Sequence, residues 1–312
     1  ALYVPGAKDT EEAFRYACDL LEGVERSVAE NLDLASFAVN ASDAMNNKAK
    51  GVFSVFLGLE NGSPIGNDLS RLKYFYDRGV RYVTLCHSLN NQICDSCASR
   101  VKTWGGLSPF GREVVAEMNR LGLLIDVSHI SDESFYDVLK YSTRPVVATH
   151  SCCRALSDHP RNMTDDMIRA LAAAGGVIQI NFYPVFIDST FTTVLADSGL
   201  AEKGESVEAE FIADPADDAK RKAWNRIQDE IQALPRPSYK LIADHIDHVV
   251  MLVGIDHVGI GSDYDGIEVT PEGMEDISMI PLLIKELSDR GYTREDLNKI
   301  AGGNFFRIMN AC

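Results

Sequence analysis

The chain repeats one unit, a short run of apolar, β-prone residues followed by a helix with one apolar face. The runs lack polar alternation, which is typical of parallel strands that are covered by helices. Repeated units of this kind predict either a doubly wound sheet or a (β/α)8 barrel. The predicted strands are Val52–Leu57, Tyr82–Leu85, Leu123–Ile125, Val146–Thr149, Val177–Asn181 and Val258–Gly261.

The helices between these strands carry start and stop signals. Ser108 followed by Pro109 predicts a capped helix start, and Gly122 predicts the end of that helix. Thr293 with Asp296 resembles a capping box near the end of the chain. These signals support helices in the places where the repeated unit requires them.

Polar side chains follow almost every predicted strand at its carboxyl end. In a barrel these ends meet at one mouth, where the chemistry is placed, so the pattern favours a barrel over a doubly wound sheet. No G-x-G-x-x-G sequence follows any strand, so dinucleotide binding has little support. The side chains concerned are Glu60, His87, Asp126, His129, His150, Asn181, Tyr183, Asp263 and Asp265.

Composition is consistent with one globular barrel over residues 1–312, because 46% of the residues are hydrophobic and 24% are charged. Residues 184–237 depart from the repeated unit and predict a helical insertion near the mouth. The net charge of −16 argues against nucleic acid as a partner. No apolar run reaches the length of about 18 residues that a membrane span needs, so no transmembrane segment is expected.

Two histidines and two carboxylates make a candidate metal site. His129 and His150 follow successive predicted strands, and Glu60 and Asp263 follow others. Imidazole nitrogens and a carboxylate are the ligands that zinc takes in a catalytic site with a position left open for water. A carboxylate can also bridge two metal ions.

Other residue pairs receive a structural interpretation. Cys94 and Cys97 have the spacing of a redox or zinc motif but no partner motif, so a loop pair is favoured. His245 and His248 flank the apolar stripe of an outer helix, away from the mouth. The odd count of seven cysteines argues against a disulfide scaffold.

Short motifs, several of which contain candidate site residues, occur along the chain in this order: Gly58–Gly62, Arg81–Ser88, Gly106–Gly111, Met118–His129, Arg161–Asn162 with Asp165–Asp166, Asn181–Tyr183, Ala243–His248, Gly261–Gly266 and Gly303–Asn304. Together they resemble the membrane (renal) dipeptidase family of zinc peptidases, within the amidohydrolase superfamily of barrels. The resemblance runs through almost the whole chain.

The resemblance implies a dipeptidase that uses two zinc ions and a hydroxide bridging them to hydrolyse the peptide bond. Glu60 would be the carboxylate that bridges both ions, and His129 and His150 would bind the second ion. Asp263 would manage protons beside the first ion, and His87 would meet the substrate carbonyl or the oxyanion.

The resemblance also implies that Arg161 holds the free carboxylate of the dipeptide, a role suited to a guanidinium, and that Tyr183 lines the pocket. Two alternatives stay open. One is another amidohydrolase, such as a lactonase or a deaminase, although the Arg161–Asn162 segment favours a carboxylate-bearing substrate. The other is a metal-poor barrel that acts only as a binding or structural protein.

One departure from the family is large. The family opens with a His-x-Asp pair on its first strand, which binds the first zinc, whereas the first histidine of this chain is His87. Leu2–Val4 resembles the end of the family's second strand. We therefore expect a barrel that lacks its first strand, an incomplete first zinc site, and a natural polypeptide that extends upstream of Ala1 with a His-x-Asp pair.

The expected partner is a dipeptide substrate, and a homodimer stays open. The free thiols favour a reducing cytoplasm slightly. A periplasmic or exported protein stays open as well, because the expected upstream segment could carry an export signal.

Overall fold

The computed structural model describes residues 1–6 and 9–312. Its main sheet contains seven parallel strands, β1, β4, β5, β6, β7, β8 and β9, which lie side by side in chain order. A second, parallel pair is formed by β2 and β3. The strands are β1 (Leu2–Tyr3), β2 (Ala35–Phe37), β3 (Phe53–Val55), β4 (Leu57–Glu60), β5 (Val80–Thr84), β6 (Leu124–Asp126), β7 (Val147–Ser151), β8 (Val177–Ile180) and β9 (Val258–Ile260).

Helices connect the strands of the main sheet. None of the described helices is both long enough and apolar enough to cross a lipid bilayer. The α-helices are α1 (Thr10–Glu30), α2 (Ala41–Ala49), α3 (Ser70–Asp77), α4 (Pro109–Leu121), α5 (Asp132–Tyr141), α6 (Asp165–Ala173), α7 (Pro184–Ile187), α8 (Ser189–Ser198), α9 (Leu200–Ala213), α10 (Asp218–Gln232), α11 (Lys240–Val253), α12 (Ile280–Asp289), α13 (Arg294–Asn298) and α14 (Asn304–Met309).

The succession of parallel strands and helices is the predicted α/β barrel architecture. The strand predicted from Leu2–Val4 is present as β1, which pairs with β4 through Leu2 and Leu59. Within residues 1–6 and 9–312, β1 and β9 are the outer strands and form no ladder with each other. The seven strands therefore agree with a barrel that lacks one strand.

One predicted strand is wrong in its extent. The sequence predicts a single strand over Val52–Leu57, whereas the structure divides this segment between two sheets. Phe53 in β3 is 72% exposed, and the main-sheet strand β4 begins only at Leu57, which is buried. An apolar run does not by itself distinguish a core strand from a peripheral one, because burial depends on the neighbouring elements.

The predicted helix boundaries follow from local hydrogen bonds. The Ser108 hydroxyl accepts from the Gly111 amide at 2.8 Å at the start of α4, and Gly122 ends the helix with a left-handed φ of 79°. Val114 and Met118 on the inner face of α4 are fully buried. Burial of this face holds α4 against β6 and places the loops before and after it at the ends of the sheet.

Residues 184–237 contain the four helices α7 to α10. Helix α9 packs on α10, and the segment has an apolar cluster separate from that of the barrel. Burial and, second to it, the charge of Glu208 on α9 raise the pKa of Tyr3, the last residue of β1, so α9 lies near the carboxyl end of β1. The cluster consists of Val185, Phe191, Leu195, Ile227 and Ile231 of this segment together with Val269, which follows β9.

Replacing Gly261 with alanine is expected to lower the free energy of unfolding by about 1–3 kcal/mol, as overpacked core positions do. A Cβ atom on Gly261 would lie 2.2 Å from the carbonyl oxygen of Thr149, and a backbone atom cannot move aside cheaply. Urea unfolding monitored by circular dichroism measures the change.

The matched control is Gly23→Ala in the middle of α1, where an added Cβ meets no atom within 4 Å. It should raise the free energy of unfolding by up to about 1 kcal/mol, because alanine is the better helix former. Equal effects of the two substitutions would contradict the close packing of Gly261 against β7.

Candidate active site

Four neighbouring strands bring a carboxylate and three histidines to one end of the sheet. Glu60 is the last residue of β4, and His87 lies three residues after β5. His129 lies three residues after β6, and His150 lies within β7 rather than after the strand as predicted. β7 is longer than expected because Ser151 still pairs with Ile180 of β8.

Two of the three separations between the candidate ligand atoms match those of a tetrahedral zinc site, and the third is shorter. Glu60 Oε1 is 3.4 Å from His129 Nε2 and 3.4 Å from His150 Nε2, and the two Nε2 atoms are 2.8 Å apart. Zinc–ligand bonds of about 2.0–2.1 Å correspond to ligand–ligand separations of about 3.3 Å in a tetrahedron. Two imidazoles and one carboxylate therefore fit a divalent metal with an open fourth position.

His87 stands at the edge of this group. Its Nε2 is 3.9 Å from Glu60 Oε1, and its ring centre is 4.1 Å from that of His129. Its Nδ1 is 2.8 Å from the Ser88 hydroxyl, and Tyr3 packs edge-on against the ring at 4.9 Å. Burial lowers the pKa of His87 to about 4, so the imidazole is neutral at neutral pH.

Hydrogen bonds in the group hold Glu60 ionised. Burial alone would raise the pKa of Glu60, but hydrogen bonds to His129 and His150 outweigh burial and hold it well below its usual range. Burial, together with the charge of Arg161, lowers the pKa of His129 well below its usual value. Burial and the charge of Arg161 oppose protonation of His150, but the hydrogen bond to Glu60 and the charges of Asp263 and Glu60 outweigh them and raise the pKa of His150. Metal binding needs an ionised carboxylate and neutral imidazoles, so a metal ion would displace a proton from a charged His150.

The backbone adopts a left-handed conformation at the non-glycine residues Asn61 (φ 86°), His129 (φ 70°) and Asp263 (φ 65°). Each lies at or directly beside a candidate site residue. This conformation is costly for residues with a side chain, and surrounding contacts must hold it. At Asn61 the holding contacts are visible: the side-chain amide donates to the Val4 carbonyl at 2.9 Å, and Oδ1 accepts from the Ser63 amide.

Asp263 lies three residues after β9, and its Oδ2 accepts a hydrogen bond from the Asn181 amide at 3.0 Å. Burial, with a contribution from the charge of Glu60, raises the pKa of Asp263, although His150 acts in the opposite direction. A raised carboxyl pKa brings the group closer to the range in which it can both accept and donate a proton near neutral pH.

Arg161 is only 6% exposed and lies in the loop after β7. Its Nη2 donates to the His150 carbonyl at 2.8 Å, and its Nη1 donates to the Ser151 hydroxyl at 3.0 Å. Its Nε is buried without a hydrogen-bond partner. A buried donor without a partner is costly, so this guanidinium is suited to bind an anionic group that supplies the missing acceptor.

Tyr183 is the residue before α7, and its amide donates to the Asn181 side chain at 2.6 Å. Its ring packs edge-on against Phe186 at 4.9 Å. Burial and the neighbouring Glu268 carboxylate, which is also hydrogen-bonded to the hydroxyl, raise the pKa of Tyr183. The phenol is therefore neutral and tied to Glu268.

The side chains that were interpreted as structural have structural contacts. His245 and His248 both lie on α11. His245 Nδ1 accepts a hydrogen bond from the Cys153 backbone amide at 3.1 Å, and His248 Nε2 is hydrogen-bonded to Asp165 Oδ1 at 2.8 Å. All seven cysteines are free thiols. Burial raises the pKa of Cys97 to about 11 and that of Cys152 to about 12, which disfavours a thiolate nucleophile at either position.

Two neighbours of the site were missed in the sequence. Tyr3 is paired in register with Glu60 and packs on His87, yet it was interpreted only as part of a strand remnant. Thr149 contacts both Asp126 and His150, and although it is the polar last residue of the predicted strand Val146–Thr149, it was not included among the candidates. Glu60 was selected because it is a polar side chain at the carboxyl end of a predicted strand, and the same criterion applies to Tyr3.

A parallel α/β barrel with imidazole and carboxylate ligands at the carboxyl ends of its strands defines the class of barrels that bind a catalytic metal at the mouth. Residues 1–312 match the profile of the family described as Membrane dipeptidase (Peptidase family M19), and the chain belongs to this family. The family resemblance inferred from the motifs is thereby confirmed.

Relatives and solved structures agree with this assignment. The chain is 32% identical over 300 residues to "Dipeptidase aclJ" of Aspergillus oryzae, covering 96% of this chain and 61% of the relative. It is similar to the crystal structure of the probable dipeptidase PvdM from Pseudomonas aeruginosa, with a TM-score of 0.82, 29% identity, and coverage of 99% of this chain and 82% of that one.

A metallo peptidase from Rhodobacter sphaeroides, solved with a phosphinate mimic of the dipeptide L-Ala-D-Ala, shares the fold. Its TM-score is 0.78 at 24% identity, with coverage of 99% of this chain and 78% of that one. The chain spans 52–66% of the length of the first curated relatives that it matches.

Proposed function

We propose that this protein is a zinc-dependent dipeptidase that hydrolyses dipeptides with a free carboxylate. The observation that carries the proposal is the convergence of Glu60, His129 and His150, with the three ligand atoms 2.8–3.4 Å apart. Membership of the membrane dipeptidase family and the name of the Aspergillus oryzae relative support the reaction. No observation favours a lactonase, a deaminase or a non-catalytic barrel.

We propose zinc as the metal and two ions as the complete number. Glu60, His129 and His150 would hold one ion, and the Glu60 carboxylate would be shared with the other. When bound, zinc supplies Lewis acidity toward the peptide carbonyl and makes water a nucleophile at neutral pH. The described residues contribute these three groups to one ion, so the site of the other is the less complete.

The remaining roles belong to the chain's own side chains. Asp263, with its raised pKa, would take a proton and pass it to the leaving amine. His87 is neutral, and when the Ser88 hydroxyl donates to Nδ1, its Nε2–H can donate to the developing oxyanion. Tyr183 would line the pocket near the helices of residues 184–237.

A substrate panel tests the proposal directly. The zinc-loaded protein should hydrolyse a free dipeptide, and it should hydrolyse the C-terminally amidated dipeptide and a lactone much more slowly. The expected difference comes from carboxylate recognition, which only the free dipeptide allows. Faster turnover of the lactone, or no dipeptide hydrolysis with zinc bound, would overturn the proposed function.

Arg161→Lys is expected to raise KM for a free dipeptide by about tenfold or more, because an ammonium replaces a guanidinium that can bind a carboxylate through two N–H groups. On the amidated dipeptide the same substitution should change kcat/KM little. Steady-state kinetics on both substrates provide the measurement.

Arg154→Lys is the matched control, since Arg154 forms its ion pair with Asp132 at 2.7 Å. This control should leave KM for both substrates near the wild-type values. Equal losses on the free and the amidated dipeptide in Arg161→Lys would show that Arg161 does not anchor the carboxylate.

A further inference from the structure

A fully buried carboxylate lies beneath the two histidines. Asp126, the last residue of β6, accepts four hydrogen bonds. Its Oδ1 accepts from the amides of Ser128 at 3.0 Å and Thr149 at 2.9 Å, and its Oδ2 accepts from the hydroxyls of Thr84 at 2.6 Å and Thr149 at 2.7 Å. The carboxylate therefore links β5, β6 and β7, the strands that lead to the three histidines.

The two amides that Asp126 holds belong to the residues directly before the histidine ligands. Ser128 precedes His129, and Thr149 precedes His150. The Ser128 hydroxyl also accepts from the His150 amide at 3.1 Å, which joins the two segments. The Asp126 carboxylate thus holds in place the backbone that directly precedes His129 and His150.

The Thr149 hydroxyl connects Asp126 to His150 itself. Its oxygen is 2.7 Å from Asp126 Oδ2 and 2.7 Å from His150 Nδ1. A hydroxyl has one proton to donate, and a carboxylate can only accept. The hydroxyl therefore donates to Asp126 and accepts from His150, which requires a proton on Nδ1 of His150.

We propose that Asp126 and Thr149 are positioning residues that hold His150 as the Nδ1–H tautomer, with the lone pair of Nε2 directed to the metal. This inference rests on the proposed metal site and adds two residues to it. Nε2 is the atom 3.4 Å from Glu60 Oε1 and 2.8 Å from His129 Nε2, so the tautomer decides whether the site presents a ligand or a proton. A hydrogen bond on the outer nitrogen commonly orients a metal-binding histidine.

The opposite tautomer would disturb the whole arrangement. With Nδ1 unprotonated, the Thr149 hydroxyl would donate to His150, and Asp126 Oδ2 would lose one of its two donors. The carboxylate has no exposed surface at which water could replace that donor. Because Asp126 is buried, the loss of that donor is costly, and the Nδ1–H tautomer of His150 is strongly favoured over the Nε2–H tautomer.

The test uses the full chain, uniformly labelled with 15N, and reads histidine tautomers by NMR without metal, at an alkaline pH at which His150 carries a single proton. Zinc dissociation constants are measured on the same samples by competition with a chelator. Thr149→Val removes the hydroxyl but keeps the shape, and Thr149→Ser keeps the hydroxyl. We expect the serine variant to retain the Nδ1–H signal of His150 and the valine variant to lose it, with zinc bound about 10–100-fold more weakly.

Asp126→Asn gives the sharpest outcome. Its amide oxygen can still accept from the two backbone N–H groups, but its NH₂ group must then donate to Thr84 and Thr149. The Thr149 hydroxyl would turn toward His150, so the imidazole should switch to the Nε2–H tautomer. A comparable change of a buried carboxylate to an amide produces the wrong histidine tautomer in a serine protease triad.

Thr143→Val is the matched control, because the Thr143 hydroxyl donates to Asn119 at 2.7 Å and contacts no histidine. It should change neither the tautomer nor the zinc affinity. Wild-type tautomer signals in both Thr149→Val and Asp126→Asn, with the fold verified by circular dichroism, would overturn the inference. Absence of zinc binding by the wild-type protein would instead overturn the proposed function, since the metal-free tautomers are read independently.

Discussion

His129→Ala is expected to remove zinc from the site and to lower kcat/KM for dipeptides by about a hundredfold or more. Loss of a group that only supports a metal ligand already costs about 10–100-fold in affinity or activity, and His129 is a ligand itself. Its Nε2 is 3.4 Å from Glu60 Oε1, and only Glu60 and His150 would remain of the three groups. Zinc content by atomic absorption and steady-state kinetics measure the two effects.

The matched control is His248→Ala, which removes a histidine from α11 that bonds to Asp165. It should retain full zinc and full activity. The far-ultraviolet circular dichroism spectrum of His129→Ala should match that of the wild type, because the substitution removes no core side chain. A folded His129→Ala protein with full zinc and full turnover would contradict the assignment of His129 as a ligand.

Asp263→Asn is expected to lower kcat by about 10²–10⁴-fold, the usual contribution of general acid–base catalysis. The amide has the same shape, and its oxygen can keep the hydrogen bond from the Asn181 side chain. Zinc content should stay near that of the wild type, since the proposed role of Asp263 is proton transfer. Pre-steady-state hydrolysis of a chromogenic dipeptide separates this step from product release.

Asp265→Asn is the matched control for the loss of a carboxylate from this loop, because Asp265 is an exposed carboxylate two residues further along. We expect wild-type kcat for this variant. If Asp263→Asn lost zinc and activity in equal proportion, Asp263 would be acting on the metal rather than on the proton.

Much of the architecture could be predicted from local patterns. Continuous apolar runs predicted parallel strands, and the capping signals at Ser108 and Thr293 predicted helix starts that the structure contains. Glu60, His87 and His129 could be grouped because parallel strands carry their last residues to one edge. The exact strand limits could not be predicted, since pairing of Ser151 with Ile180 extends β7 beyond its apolar run.

Other properties required the tertiary structure. The sequence placed Asp126 only among the polar side chains at the strand ends, whereas in the structure it reaches His150 through the Thr149 hydroxyl. These hydrogen bonds depend on how β5, β6 and β7 are aligned with one another, and this register cannot be read from any one segment of the sequence.

The sequence by itself determined the order of the strands, the helix caps and the types of ligand at the strand ends, because these depend on residues close together in the chain. Only the tertiary structure decided the 2.8 Å separation of the His129 and His150 nitrogens and the left-handed backbone at His129. It also decided that Arg161 keeps a buried Nε without a partner. These features arise where segments far apart in sequence meet, and packing between those segments sets distances and burial that local preferences cannot specify.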